Sequence, residues 1–225
     1  MRKYLICLLV ILFGLNLAAQ DSGKNQVKFA LISSPVYDLD LRLSNELRRI
    51  YVTAQFSVKQ DSLNVADYYS FFVNQDVRIE QIFINEKLTA PILTTNLQAE
   101  HFIPVLPVPA LLDTNSVMIC YSFKQSDMVS KADSLSFKVK FWVPTPEWQP
   151  NSDGSSMIGY LTDHYWFPRN IETSSTVNIK LLSSAYYRLE IERPCLWTDN
   201  SGIRTHRGCF QDSPGRSTFL KIIKG

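Results

Sequence analysis

The sequence predicts an all-β fold, an antiparallel β-sandwich preceded by a cleaved signal peptide. Three observations carry this. Apolar and polar residues alternate with period two through most of the chain. No convincing long stretch places apolar residues at i, i+3, i+4 and i+7, the helical pattern. The alternating runs recur at intervals with turn residues between them, as in sandwiches.

The N-terminus reads as a secretory signal over residues 1–19. Arg2 and Lys3 form the positive end, the apolar run Leu5 to Leu17 is broken only by Gly14 and Asn16, and small Ala18 and Ala19 precede polar Gln20 and Asp21. The run is too short for a comfortable membrane span, although a retained N-terminal anchor is the alternative. Cys7 has no small residue before it and makes a poor lipid-attachment cysteine. No second apolar run of spanning length follows, so no stable membrane span is expected after removal of the signal. The expected organisation is a lead-in over 20–34 and one sandwich domain over 35–225, exported to the periplasm or secreted.

The strands follow in order. In YDLDLRLS, Leu39, Leu41 and Leu43 alternate with Asp38, Asp40 and Arg42. In YVTAQFSVK, Val52, Ala54, Phe56 and Val58 share a face. In VRIEQIFIN the phase slips between Ile79 and Ile82, which predicts a β-bulge near Gln81. FIPVLPVPALL carries Pro104, Pro107 and Pro109, so it is an edge or an extended crossover rather than a central strand. Val117, Ile119, Tyr121 and Phe123 share a face in VMICYSF, and Leu135, Phe137, Val139, Phe141 and Val143 do so in SLSFKVKFWV. After a proline-rich stretch from Val143 to Ser156, read as a long surface loop, Val177, Ile179 and Leu181 and then Tyr187, Leu189 and Ile191 repeat the pattern. Successive side chains of a strand point to opposite sides, so each run has one buried and one wet face.

Charge excludes some partners. The chain has 23 basic and 21 acidic residues; removing residues 1–19 takes away Arg2 and Lys3 and leaves the two counts equal. A neutral surface gives no electrostatic basis for binding nucleic acid or an anionic membrane.

Three cysteines follow the signal: Cys120, Cys195 and Cys209. Export permits disulfides. Cys195 and Cys209 flank a polar loop in which Asp199, Asn200, Ser201 and Gly202 read as a turn, so we expect them to be bonded to each other, with Cys120 a buried free thiol. The alternative is that all three stay reduced and buried. With Cys195 and Cys209 bonded, Arg204, His206 and Arg207 would form a rigid basic tip suited to an acidic partner.

Chemistry is sparse. His101, His164 and His206 are the three histidines, and no spacing resembles a zinc site or a redox C-x-x-C pair. There is no H-E-x-x-H, phosphate-binding glycine loop or dinucleotide fingerprint, and GSSMIG is not a nucleophile elbow. No cofactor, metal site or catalytic residue is expected. In YLTDHYWFPRN, a strand over Tyr160 to Phe167 would point adjacent Asp163 and His164 to opposite sides, which removes them as an orienting pair. Trp166 and Tyr165 are then either core walls or an aromatic platform.

The order of YDLDLRLS, IYVTAQFSVK, YSFFVNQDVRIEQIFINEK, FIPVLPVPALLDTNSVMICYSF, YLTDHYWFPRN, VNIKLL and YYRLEI resembles the N-terminal domain of M1-family (gluzincin) aminopeptidases. Asn85-Glu86-Lys87 matches its tight turn, Tyr121 a tyrosine-bearing strand, and Trp166-Phe167-Pro168 an aromatic-proline segment before its last strands. The match runs from Val36 to Ile191, and the cysteine loop after Arg193 lies outside it. The resemblance implies a saddle-like all-β module of peptidase-associated ancestry. In that family the zinc ligands and catalytic glutamates lie in the following domain, so no catalytic residue is carried over and peptidase activity is not implied.

The functional expectation is an exported, non-catalytic module that binds another exported protein. The alternative is a carbohydrate-binding module, with Trp142, Trp148, Tyr165 and Trp166 stacking on a glycan. A third is an enzyme using His164 or His206 with an acid.

Overall fold

A computed structural model describes residues 27–32, 34–43, 48–59, 66–94, 102–103, 118–128, 133–145, 149–150, 157–161, 166–168, 174–182, 187–191, 194–199, 205–212 and 220–224. In chain order the strands are β1 (Phe29–Leu31), β2 (Val36–Leu43), β3 (Arg49–Lys59), β4 (Tyr68–Asn74), β5 (Arg78–Ile84), β6 (Lys87–Leu88), β7 (Ile92–Thr94), β8 (Phe102–Ile103) and β9 (Met118–Lys124). They continue as β10 (Ser134–Pro144), β11 (Gln149–Pro150), β12 (Met157–Leu161), β13 (Ser175–Leu182), β14 (Tyr187–Ile191), β15 (Pro194–Asp199), β16 (Thr205–Asp212) and β17 (Leu220–Lys224). Among the described residues the helical content is one turn, Gln125–Met128.

An eight-stranded sheet runs β15-β16-β13-β2-β3-β10-β5-β6, a five-stranded sheet β7-β9-β4-β1-β8, and a four-stranded sheet β11-β12-β17-β14. The fold is all-β and sandwich-like. One expectation needs correction: the sheets are not purely antiparallel. β1 lies parallel to β4 and β8, and β13 lies parallel to β2. Alternation reports which face is wet and carries no information on strand direction, so the sequence could not distinguish these pairs. Each parallel pair is separated by intervening elements that supply the crossover such pairing requires. The stretch expected as a lead-in contains β1, which sits between β4 and β8 in its sheet.

The core forms where alternation is strictest. β3 and β10 pair from Lys59 opposite Ser134 to Arg49 opposite Pro144. Their inward residues, Ile50 to Val58 and Leu135 to Val143 at alternate positions, are all buried. Phe56 and Phe137 face each other in this register and stack at 5.0 Å between ring centroids. Phe71 of β4 meets Phe56 edge-on at 6.5 Å, and Phe123 of β9 meets Phe137 at 6.1 Å. These aromatic contacts hold the five-stranded sheet on the inner face of the eight-stranded one.

Two local features match the sequence. Between β5 and β10, Gln81 pairs with Lys140 and Ile79 with Phe141, so Glu80 is the extra residue of a bulge beside Gln81. Asn85 and Glu86 form the two-residue turn between β5 and β6, both at positive φ (48° and 67°), as a tight hairpin turn demands. The Asn85 Oδ1 atom accepts the backbone N–H of Ser136 at 2.9 Å, tying the turn to β10. The proline-rich segment also agrees where it is described: β8 is an edge strand.

Candidate interaction face

The outer face of the eight-stranded sheet is built from the polar halves of the alternating strands. Register places its side chains in rows. One row runs Lys180, Asp40, Thr53, Lys140 and Gln81 across β13, β2, β3, β10 and β5. The next, two residues along, runs Leu182, Arg42, Tyr51, Trp142 and Arg78. Thr53 is the short side chain between longer ones, and a depression of about 470 Å³ opens over it, walled by Asp40, Arg42, Tyr51, Glu80 and Lys140. The bulge at Glu80 turns that carboxylate toward this rim instead of leaving it in strict alternation.

The charges of the depression are not consumed internally. Among the described residues, Asp40, Arg42, Thr53 and Glu80 make no side-chain hydrogen bond or ion pair. Asp38, one step along β2, differs: its Oδ1 accepts from Asn178 Nδ2 at 2.8 Å. The Lys140 ammonium lies 5.5 Å from the Phe83 ring, and the Arg49 guanidinium covers Trp142 at 4.2 Å. Tyr51 is 39% exposed at the end of the depression.

Those residues singled out from sequence that lie among the described residues do not assemble into one site. Trp142 is half-buried on this outer face under Arg49. Trp166 is on the other side of the sheet, 5% exposed, in the core beside Phe167, which meets Tyr37 edge-on. The segment 166–168 is a bend, and β12 ends at Leu161, so no strand continues through Trp166. The two tryptophans therefore cannot share a stacking platform. Trp148, Tyr165, Asp163, His164 and Arg204 lie outside the described residues. His206 belongs to β16 and is 5% exposed, so it is not part of an exposed tip, whereas Arg207 beside it is exposed. A strand puts neighbours on opposite faces, which separates the two.

Cys120 is a buried free thiol, as expected. Burial pushes its pKa above the ordinary 9.0, opposed by hydrogen bonds from Ser122 and Ser70. Cys209 is disulfide-bonded. The side chain of Cys195 lies outside the described residues; β15 pairs antiparallel with β16 with Pro194 opposite Phe210, and the register shifts between Pro194 and Thr198.

Among the described residues there is no group of three or more His, Cys, Asp or Glu that could hold a metal ion, and no helix is long and apolar enough to cross a membrane. Sequence reading did not single out Asp40, Arg42, Tyr51, Thr53, Glu80 or Lys140 as a group. They come from four strands and meet only through the register.

No protein-family model matches the chain, and no characterised protein matches it in sequence. Solved structures do match. Leukotriene A4 hydrolase from Saccharomyces cerevisiae is 13% identical with a TM-score of 0.53, over 86% of this chain and 29% of its own. Aminopeptidase A from Legionella pneumophila, solved in complex with aspartic acid, is 7% identical with a TM-score of 0.51, over 91% of this chain and 22% of its own. The chain thus spans less than a third of the length of either protein. At these identities the likeness concerns the fold alone, and that fold is the one the sequence resemblance implied, the N-terminal all-β domain of M1 aminopeptidases.

Proposed function

We propose that the chain is an exported, non-catalytic accessory module that binds another exported protein through the outer face of its eight-stranded sheet. The observation that carries this reading is the set of opposite charges around Thr53, of which Asp40, Arg42 and Glu80 make no side-chain hydrogen bond or ion pair among the described residues. Such a face gains more from a partner with complementary charges than from its own side chains. Complementary potentials steer encounter and fix register, while wrong partners meet like charges. Exposed Tyr51 adds an amphipathic contact of the kind enriched at interfaces.

The fold likeness covers less than a third of the hydrolase and aminopeptidase chains. A glycan platform would have to rest on Trp148 and Tyr165, which lie outside the described residues, because Trp166 is buried and Trp142 lies under Arg49. Affinity capture from the source organism tests the proposal. The wild-type chain should retain a partner that the double variant Asp40→Lys, Lys140→Glu loses, and retention should weaken with salt. Identical retention by both proteins would refute it, and turnover of aminopeptidase or esterase substrates would refute its non-catalytic part.

A further inference from the structure

The charges of the outer face are sorted by strand. On this face β2 carries Asp38 and Asp40, β10 carries Lys138 and Lys140, and β3 between them carries uncharged Gln55 and Thr53. Asp38 and Lys138 stand in one row on either side of Gln55, and Asp40 and Lys140 in the next on either side of Thr53. One strand further out the signs reverse. Lys180 of β13 is beside Asp40, and Glu80 of β5 is on the Lys140 side of the depression. The Lys140 ammonium leans over Phe83 of β5, which keeps it on the basic half of the face.

Such an order is the complement of itself. A two-fold axis parallel to β3, over Gln55 and Thr53, lays the face of one copy on that of another with β2 opposite β10 and each row on its equal. Asp38 then meets Lys138 of the second copy, Asp40 meets Lys140, and Lys180 meets Glu80, each contact formed twice as in any isologous interface. An axis across the strands would instead set β2 on β2 and acid on acid. Sheets packed face to face keep their strands within about 30° of each other, so the rows stay matched near the axis. The row through Tyr51 adds nothing, because Arg42 would face Trp142 under its Arg49 cover. We infer that the outer face pairs with the same face of a second copy of this chain about this axis, and that the pairing competes with the exported partner proposed above. The competition rests on that reading; the pairing itself follows from the order of charges. Another protein has to bring the inverted order with it, whereas a second copy carries it by symmetry. Opposed charges set the register, and their desolvation keeps the affinity modest and salt-dependent.

Analytical ultracentrifugation of the full chain tests it, with two variants that each reverse one stripe. Asp38→Lys with Asp40→Lys makes both stripes basic, and Lys138→Glu with Lys140→Glu makes both acidic. The wild-type chain should form a dimer that weakens at least about tenfold between roughly 0.05 M and roughly 0.5 M salt. Each reversed protein alone should be monomeric. An equimolar mixture of the two should restore a dimer with one of each, which also shows that both are folded. Asp40→Lys with Lys140→Glu inverts one row and leaves it self-complementary, so that protein should still dimerise although it loses the exported partner. A wild-type chain that stays monomeric, reversed proteins that dimerise alone, or a mixture of the two folded proteins that stays monomeric would each overturn the pairing. None of these results bears on capture of the exported partner, which separates the two failures. A cross-linked adduct of twice the chain's mass from position 51, which lies on the axis, belongs to this pairing and not to that partner.

Discussion

The pairs β3–β10 and β4–β9 lie on either side of the same aromatic core, yet they are built on different rules. Along β3 and β10 every second residue is buried, and the residues between are exposed or half-buried. Along β4 six of seven residues are buried, and in β9 Cys120, Tyr121, Ser122 and Phe123 are buried consecutively. The first pair presents one face to water; the second is covered on both. On its far side Ser70 and Ser122 share a hydrogen bond at 2.8 Å, and Cys120 lies 3.6 Å from Ser122. Small polar groups can occupy a covered face because they satisfy one another. Charged ones cannot, so the lysines, arginines and acids of the molecule's largest sheet collect on its single wet face, where they are available for binding.

The largest expected effect comes from the shared core. Phe137 is 1% exposed and touches both sheets through Phe56 and Phe123, so Phe137→Ala should cost about 3–5 kcal/mol in chemical denaturation. A loss below about 1 kcal/mol would mean that the two sheets do not share that core.

Next comes the β15–β16 hairpin, at the edge of the eight-stranded sheet and outside the two strand pairs that make this contrast. We expect the bond of Cys209 to run to Cys195, closing a short loop whose restriction of the unfolded chain corresponds to about 3 kcal/mol in the entropic account. Peptide mapping without reductant should recover the two cysteines in one linked peptide; separate alkylated peptides would refute the pairing.

The contrast between the strand pairs is sharpened by a pair of serines. Ser122→Ala removes a partner from the buried Ser70 hydroxyl and should cost about 1–3 kcal/mol. Ser57→Ala, on the wet side of β3, should stay within about 0.5 kcal/mol. Equal effects would dissolve the distinction.

The smallest effect is a pH dependence. Burial raises the Cys120 pKa, so the folded chain keeps the thiol proton when the unfolded chain has begun to lose it near 9.0. The folded state then binds more protons, and its contribution to stability, complete below that pH, declines as pH rises toward the folded value. Cys120→Ala should flatten the fall between pH 9 and 10, before Tyr121 and Tyr187, also raised by burial from 10.0, add the same sign. Parallel stability curves for both proteins would show the thiol to be solvated.

What was legible in the sequence follows the same division. Leu39 and Leu41, Val52 to Val58 and Leu135 to Val143 declared their faces because water on one side imposes period two. The bulge at Glu80 showed as a phase slip, and the burial of Cys120 followed from its place within a strand. The second buried face of β4 and β9 was not legible: in YSFFVN both sets are apolar or small, and nothing local says what covers them. Parallel pairing was hidden because direction leaves no trace in alternation. The depression was hidden for a stronger reason. Asp40, Thr53, Glu80 and Lys140 become neighbours only once the register is known, and a shift of one residue would send each to the other face. Trp166 was open between a core wall and a platform, and its place in the core beside Phe167 decides for the wall.

The most direct test of the outer face as the working surface is site-specific photo-cross-linking in the source organism. A photoreactive phenylalanine analogue would replace Tyr51 in one protein and Lys124, an exposed residue of β9 in the other sheet, in a second. The account predicts a discrete protein adduct from position 51, lost when Asp40→Lys and Lys140→Glu are added, and none from position 124. Adducts of equal yield from both positions, or an adduct at 51 that survives the charge reversals, would contradict it.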